Sequence, residues 1–329
     1  MEKQGSGKNY LPIQMNRKAI IFGVKGHYLS NKEKTLLRKF KPWGIILFSR
    51  NIKNLNQLRD LVSSIKNIIK DHNYPIIIDQ EGGKVSRLNK IIDLSLFSQD
   101  HFGKLFLKNK KMFHICYKMY IDKVSEIFQS VGININTVPV LDVRRKFSHS
   151  IIGSRSFSKK PKLVKTLGRI CEILYQKNRI ATVVKHIPGH GLSKKDSHKS
   201  QPIISASKLE LKKNDFFPFK GSKSLFAMTA HVIYSAYDSV NVVTHSKFAI
   251  RKIIRRQIGF KGIIMSDDIS MKALKFNLEA NALMALKSGC NLALHCNGNI
   301  EEMIRLSKVV PKIDKFTQKK TSQFYKFLG

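Results

Sequence analysis

Acidic residues are scarce in this 329-residue chain: 22 Asp and Glu stand against 60 Lys and Arg, a formal charge of +38 with histidines neutral. Such an excess raises a nucleic acid or an anionic membrane as a partner. The lysines, however, do not gather into one block interleaved with aromatics. They occur in almost every segment, and Ile and Asn are abundant too. That is the pattern of lysine-rich drift on a solvated surface, so no specific nucleic-acid partner is expected. Cysteine is also rare. Cys116, Cys171, Cys290 and Cys296 form no CxxC pair and no zinc spacing, and they read as reduced thiols of a cytoplasmic protein. No run reaches the roughly 18 apolar residues that a membrane span needs. The start, MEKQGSGKNYLPIQ, lacks the apolar stretch of a secretory signal. Residues 1–15 are polar and patternless, and they are expected to form a flexible extension, with Met15 a possible true start, ahead of one domain over 16–329. No GxGxxG or GxxxxGK[ST] motif is present, so nucleotide binding has no support.

What is present is a repeating unit. Eight short apolar segments are spread along the chain: Ala19–Val24, Gly44–Phe48, Pro75–Ile78, Asn134–Val140, the run of Ala181, Val183 and Val184, Leu225–Thr229, Gly262–Met265 and Leu292–His295. Helical spacing fills most of the gaps, at Asn31–Phe40, Leu55–Asp71, about Phe113–Val131 and Leu163–Lys177. Continuously apolar strands alternating with helices imply a parallel sheet. Eight units predict an α/β fold of the single (β/α)8 TIM-type barrel, with irregular strands allowed, rather than an open sheet. In such a barrel the residues that follow the strands converge on one mouth. They are Asp79, Arg87, Arg155, Lys185, His186, Asp196, His198, His231 and Asp267.

Two constellations stand out. Asp267 follows the apolar GIIM and precedes Ile269-Ser270-Met271, where a helix is expected. A carboxylate at a barrel mouth can attack an anomeric carbon. Ser266-Asp267-Asp268 is equally good as a helix cap, and the two readings are compatible if Asp268 caps. Asp196 and His198 lie one residue apart in VVKHIPGHGLSKKDSH. A carboxylate that orients an imidazole fixes its tautomer and raises its basicity, so this pair can carry a proton. A solvated polar loop is the plainer alternative. His186, His190, His198 and Asp196 also offer zinc-type ligands, but they match no HExxH spacing, and Lys185 would repel a cation. Lys185, Arg87 and Arg155 would donate hydrogen bonds to hydroxyls, an acetamide or a carboxylate, and Asp79 would accept them.

Taken together, IDQEGGKVSRL (Ile78–Leu88), IIGSRSF (Ile151–Phe157), KHIPGHG with a following DSH (Lys185–His198), AHVIYS (Ala230–Ser235) and GFKGIIMSDDISM (Gly259–Met271) resemble a known family. It is the bacterial β-N-acetylglucosaminidases of glycoside hydrolase family 3, of the single-domain NagZ type. The likeness runs from about residue 18 to 300. It implies that Asp267 is the nucleophile, His198 the acid/base and Asp196 its dyad partner. It further implies that Asp79, Arg87, Arg155, Lys185 and His186 hold N-acetylglucosamine, with no metal and no cofactor. The implied activity is retaining exo-hydrolysis of muropeptides in peptidoglycan recycling, by a cytoplasmic monomer. Ile187 departs from the motif, which usually has an aromatic there, and only a packing change is expected. Residues 91–111 are unusually lysine-rich, and the last 25 or so match nothing in the family. The rival readings are a phosphorylase using the same site and a basic nucleic-acid binder on a decayed barrel.

Overall fold

A computed structural model describes residues 16–145, 152–193, 197 and 200–329. Eight strands close one all-parallel barrel: β1 (Lys18–Gly23), β2 (Pro42–Leu47), β3 (Ile76–Ile78), β4 (Ile135–Asn136), β5 (Ala181–Ile187), β7 (Phe226–Thr229), β9 (Ile263–Asp268) and β10 (Leu292–His295). Two short strands between them, β6 (Ile203–Ile204) and β8 (Ile233–Tyr234), pair only with each other. Around the barrel lie α1 (Asn31–Phe40), α2 (Leu55–Ile69), α3 (Gln99–Lys108), α4 (Lys110–Val131), α5 (Pro161–Lys177), α6 (Lys208–Lys213), a π-helix (Ala249–Ile258), α7 (Leu278–Ser288), α8 (Ile300–Val309) and α9 (Lys315–Leu328).

The local causes are legible. β2 and β5 are buried at every residue, as expected of strands covered on both faces. Ser30 and Glu33 form a reciprocal capping box that starts α1. Asn54 caps α2, whose Leu58, Leu61, Val62, Ile65 and Ile69 form one buried face.

Three expectations are corrected. β4 is confined to Ile135–Asn136, because Pro139 has no N–H to continue a ladder. Beyond it Val140 makes one isolated bridge to Lys185. The lysine-rich stretch before α4 contains a helix, α3, capped by Ser98 and holding Phe102 in the core. No helix starts directly after Asp267. Residues 269–276 form turns, and α7 begins at Leu278 with Asn277 as its cap.

The C-terminal residues, in which the sequence alone showed no family motif, close the barrel floor, at the N-terminal ends of the strands. Phe324 of α9 packs against Trp43 of β2 and Phe226 of β7, with ring centroids 6.5 and 5.4 Å away. Trp43 Nε1 donates to Thr321 Oγ1 at 2.9 Å. Below it, Arg17 pairs with Asp71, which also accepts from Tyr325. Trp43 is the single tryptophan and reports on this floor directly. Phe324→Ala is expected to cost about 3–5 kcal/mol and to red-shift native Trp43 emission. An unchanged urea midpoint would show that α9 is an accessory to the barrel.

Candidate active site

A cavity of about 160 Å³ lies at the C-terminal mouth, where strand-end residues converge. Six of the eight residues to which the family resemblance gives a role line it: Asp79, Arg87, Arg155, Lys185, His186 and Asp267. The other two, Asp196 and His198, lie outside the described residues, as do residues 1–15. Ile46, Phe48, Met228, Met271, Leu294 and Cys296 supply apolar wall.

The polar side is one ion network. Lys185, 2% exposed, lies in the C-terminal half of β5 and sends Nζ to Asp79 Oδ1 at 2.5 Å, Glu81 Oε1 at 2.6 Å and Thr137 Oγ1 at 2.9 Å. Arg87 Nη2 meets the other Asp79 oxygen at 2.6 Å. Arg155 holds Glu81 with two bonds of 2.8 Å, from Nε and Nη2. That fork is the geometry guanidinium offers a carboxylate. Burial opposes ionisation of Asp79, but Lys185 and then Arg87 outweigh it and hold the carboxyl far below the usual range. Glu81 is likewise buried, and Arg155 and Lys185 depress it. Arg155 stays charged, because Glu81 outweighs the burial that would lower it.

Behind this network stands Asp142, fully buried. Its Oδ2 takes His186 Nδ1 at 2.6 Å, and its Oδ1 accepts the His190 backbone N–H at 2.7 Å. A carboxylate at Nδ1 places the proton there and leaves Nε2 as the acceptor. His186 Nε2 sits 3.4 Å from Arg155 Nη2. Burial raises the Asp142 carboxyl, but His186 and His190 more than offset it, and the net shift is downward.

Asp267 is the penultimate residue of β9. One of its oxygens accepts the Asp268 N–H at 2.8 Å. Asp268 has the capping role, accepting from Ser270 N and Oγ at 3.0 and 2.8 Å. It caps a turn rather than a helix. His231, grouped with the mouth by the strand-end pattern, packs behind it instead. Fully buried, it contacts Thr244 Oγ1 at 2.7 Å and the Asp268 carbonyl at 3.0 Å.

The glycines of PGHG are required by close approaches. A β-carbon on Gly191 would lie 2.0 Å from the Val143 carbonyl oxygen, and Gly189 has φ +140° with Asp215 against it. Ile187 is fully buried, consistent with a packing role.

The sequence reading missed Glu81, Thr137 and Asp142. A signal for two of them existed. With only 22 acidic residues in the chain, an Asp or Glu just past an apolar strand is informative. Glu81 follows β3 and Asp142 follows β4.

A closed parallel barrel whose mouth surrounds a carboxylate with preset hydrogen-bonding groups defines a barrel enzyme for a small polar ligand. The family model described as "Glycosyl hydrolase family 3 N terminal domain" matches residues 15–323, and the chain belongs to that family of glycoside hydrolases. A β-hexosaminidase of Shewanella frigidimarina is 34% identical over 291 residues, 85% of this chain and 82% of its own. One from Alkalilimnicola ehrlichii is 32% identical, covering 84% and 80%. Native NagZ from Neisseria gonorrhoeae is 27% identical and superposes with a TM-score of 0.84 over 94% of this chain and 90% of that one. The same protein in complex with N-trifluoroacetyl-D-glucosamine, also 27% identical over the same shares, gives 0.81.

Proposed function

We propose that the protein is a retaining exo-β-N-acetylglucosaminidase, and that its catalytic unit, residues 16–329, acts as a cytoplasmic monomer on GlcNAc–anhydro-MurNAc peptides in cell-wall recycling. The observation that carries the activity is the position of Asp267 in one cavity with Asp79, Arg87, Arg155, Lys185 and His186. Relatives named β-hexosaminidases and a neighbour holding an N-acylglucosamine analogue support it.

In the first step the Asp267 carboxylate attacks C1 of the sugar and the C1–O bond to the leaving group breaks. The departing oxygen takes a proton from His198. In the second step a water loses a proton to His198 and attacks C1, releasing Asp267 and a sugar of unchanged anomeric configuration. Asp196 holds the His198 tautomer. Asp79, fixed as a carboxylate by its cations, accepts hydrogen bonds from two sugar hydroxyls. Arg87, Lys185, Arg155 and His186 surround the remaining polar groups of the ring and its acetamide.

The test is turnover of an aryl N-acetyl-β-glucosaminide beside the aryl β-glucoside, in phosphate and in phosphate-free buffer. The expected product is free N-acetylglucosamine, released first as the β-anomer. Sugar 1-phosphate as the main product would replace hydrolysis by phosphorolysis. No turnover of the N-acetyl substrate would overturn the reading altogether.

A further inference from the structure

We propose that His190 is a positioning residue that sets the loop bearing the proton-transfer pair, by clasping Ser197. The inference rests on the retaining-glycosidase reading, and in particular on Asp196 and His198 as the acid/base pair. Ser197 is the residue between those two in sequence.

The clasp has a rigid base. Asp142, buried after β4, accepts the backbone N–H of His190 at 2.7 Å and holds His186 Nδ1 at 2.6 Å. One carboxylate therefore fixes both ends of the turn between His186 and His190. The Gly189 N–H donates to the His186 carbonyl at 2.7 Å, and Tyr234 Oη donates to the Gly189 carbonyl. The backbone of His190 thus has little freedom, and its ring lies edge to face with His186, centroids 5.8 Å apart.

From this base the His190 ring reaches outward. Its Nε2 is 3.2 Å from Ser197 Oγ, and both residues are buried and line the cavity. Ser197 is held at a second point as well, since its carbonyl accepts the Ala273 N–H at 3.2 Å. Ala273 belongs to the turns that follow Asp267 and Asp268. The two grips tie Ser197 both to the turn that ends at His190 and to the segment that follows Asp267 and Asp268.

The chemistry of the ring suits this role better than a proton-transfer role. Burial lowers the His190 pKa to about 4, so near neutral pH the ring is uncharged. Its Nδ1 has no hydrogen-bond partner among the described residues. The tautomer with the proton on Nε2 leaves only an acceptor unpaired there, whereas the other would bury an unpaired donor. Nε2–H therefore donates to Ser197 Oγ. A neutral donor of this kind orients a hydroxyl and supplies no proton to the reaction.

A leaving-group comparison separates positioning of the acid from general structural damage. An aryl group of high pKa needs protonation as it departs, while 2,4-dinitrophenolate hardly does. His190→Ala is expected to lower kcat by about 10- to 100-fold on the phenyl N-acetyl-β-glucosaminide, with KM within about threefold of wild type. On the 2,4-dinitrophenyl substrate the initial release of phenolate should fall by less than about threefold. Ser197→Ala should behave the same way, and the double variant should lose no more than the worse single one. His190→Gln, which keeps a donor, should recover part of the activity. Equal losses on both leaving groups, a change in KM alone, or additive losses in the double variant would overturn the proposal. Absence of turnover by the wild-type protein would instead remove the glycosidase reading itself.

Discussion

Asp267→Ala is expected to lower aryl N-acetyl-β-glucosaminide hydrolysis by about three to five orders of magnitude. The carboxylate is the group that would bond to C1, so its removal deletes a reaction step rather than a contact. The fold should survive, because Asp267 is only half-buried at the end of β9 and the cap at Asp268 remains. Chemical rescue makes the prediction specific to a nucleophile. With a 2,4-dinitrophenyl substrate, azide fits the vacated volume and attacks C1 from the side the carboxylate occupied. The phenolate leaves as the C1–N bond forms, giving the α-glycosyl azide. Retention of more than a tenth of wild-type activity, or a β-configured azide, would assign the nucleophile elsewhere.

Lys185→Met is expected to destabilise the protein by about 3 kcal/mol near neutral pH, besides weakening substrate binding. Lys185 pairs with both Asp79 and Glu81. Without it two largely buried carboxylates lose a partner, and a broken buried pair costs more than an intact one gains. Methionine fills similar volume, so the loss is electrostatic. The pH dependence has a definite sign. Both carboxyls titrate in the folded protein below their unfolded values of about 4. Their contribution is therefore complete above about pH 4 and is lost as pH falls through the lower folded values. In the variant those folded values climb. The stability gap between the two proteins should be widest near pH 7 and narrow on acidification. Urea unfolding at pH 7 and pH 4 measures it, and equal midpoints at pH 7 would mean that Arg87 and Arg155 suffice.

The pair proposed for proton transfer, Asp196 and His198, shows why sequence and structure contribute differently. DSH is recognisable from its residues, because the chemistry needs a carboxylate and an imidazole close in the chain. What holds Ser197 is invisible there: a histidine seven residues before it, itself fixed by a buried Asp beyond β4, and a backbone amide 76 residues after it. His190 illustrates the point. Motif spacing alone made it a bystander among histidines, and only its distance to Ser197 gives it a task.

By itself the sequence determined the barrel, since eight continuously apolar runs alternating with helical spacing admit little else, and it marked six of the charged or imidazole residues that line the mouth. The tertiary structure alone decided how charges pair across those ends. Lys185 lies 106 residues from Asp79, and Arg155 lies 74 from Glu81. No local pattern encodes such partners. They are set by barrel closure, which brings β3, β4 and β5 side by side. The same closure sets Glu81 beside Lys185 and Arg155, because a cation in a low-dielectric mouth must find a carboxylate there. It also gave the C-terminal helix its purpose, since the floor under Trp43 exists only once the barrel has formed.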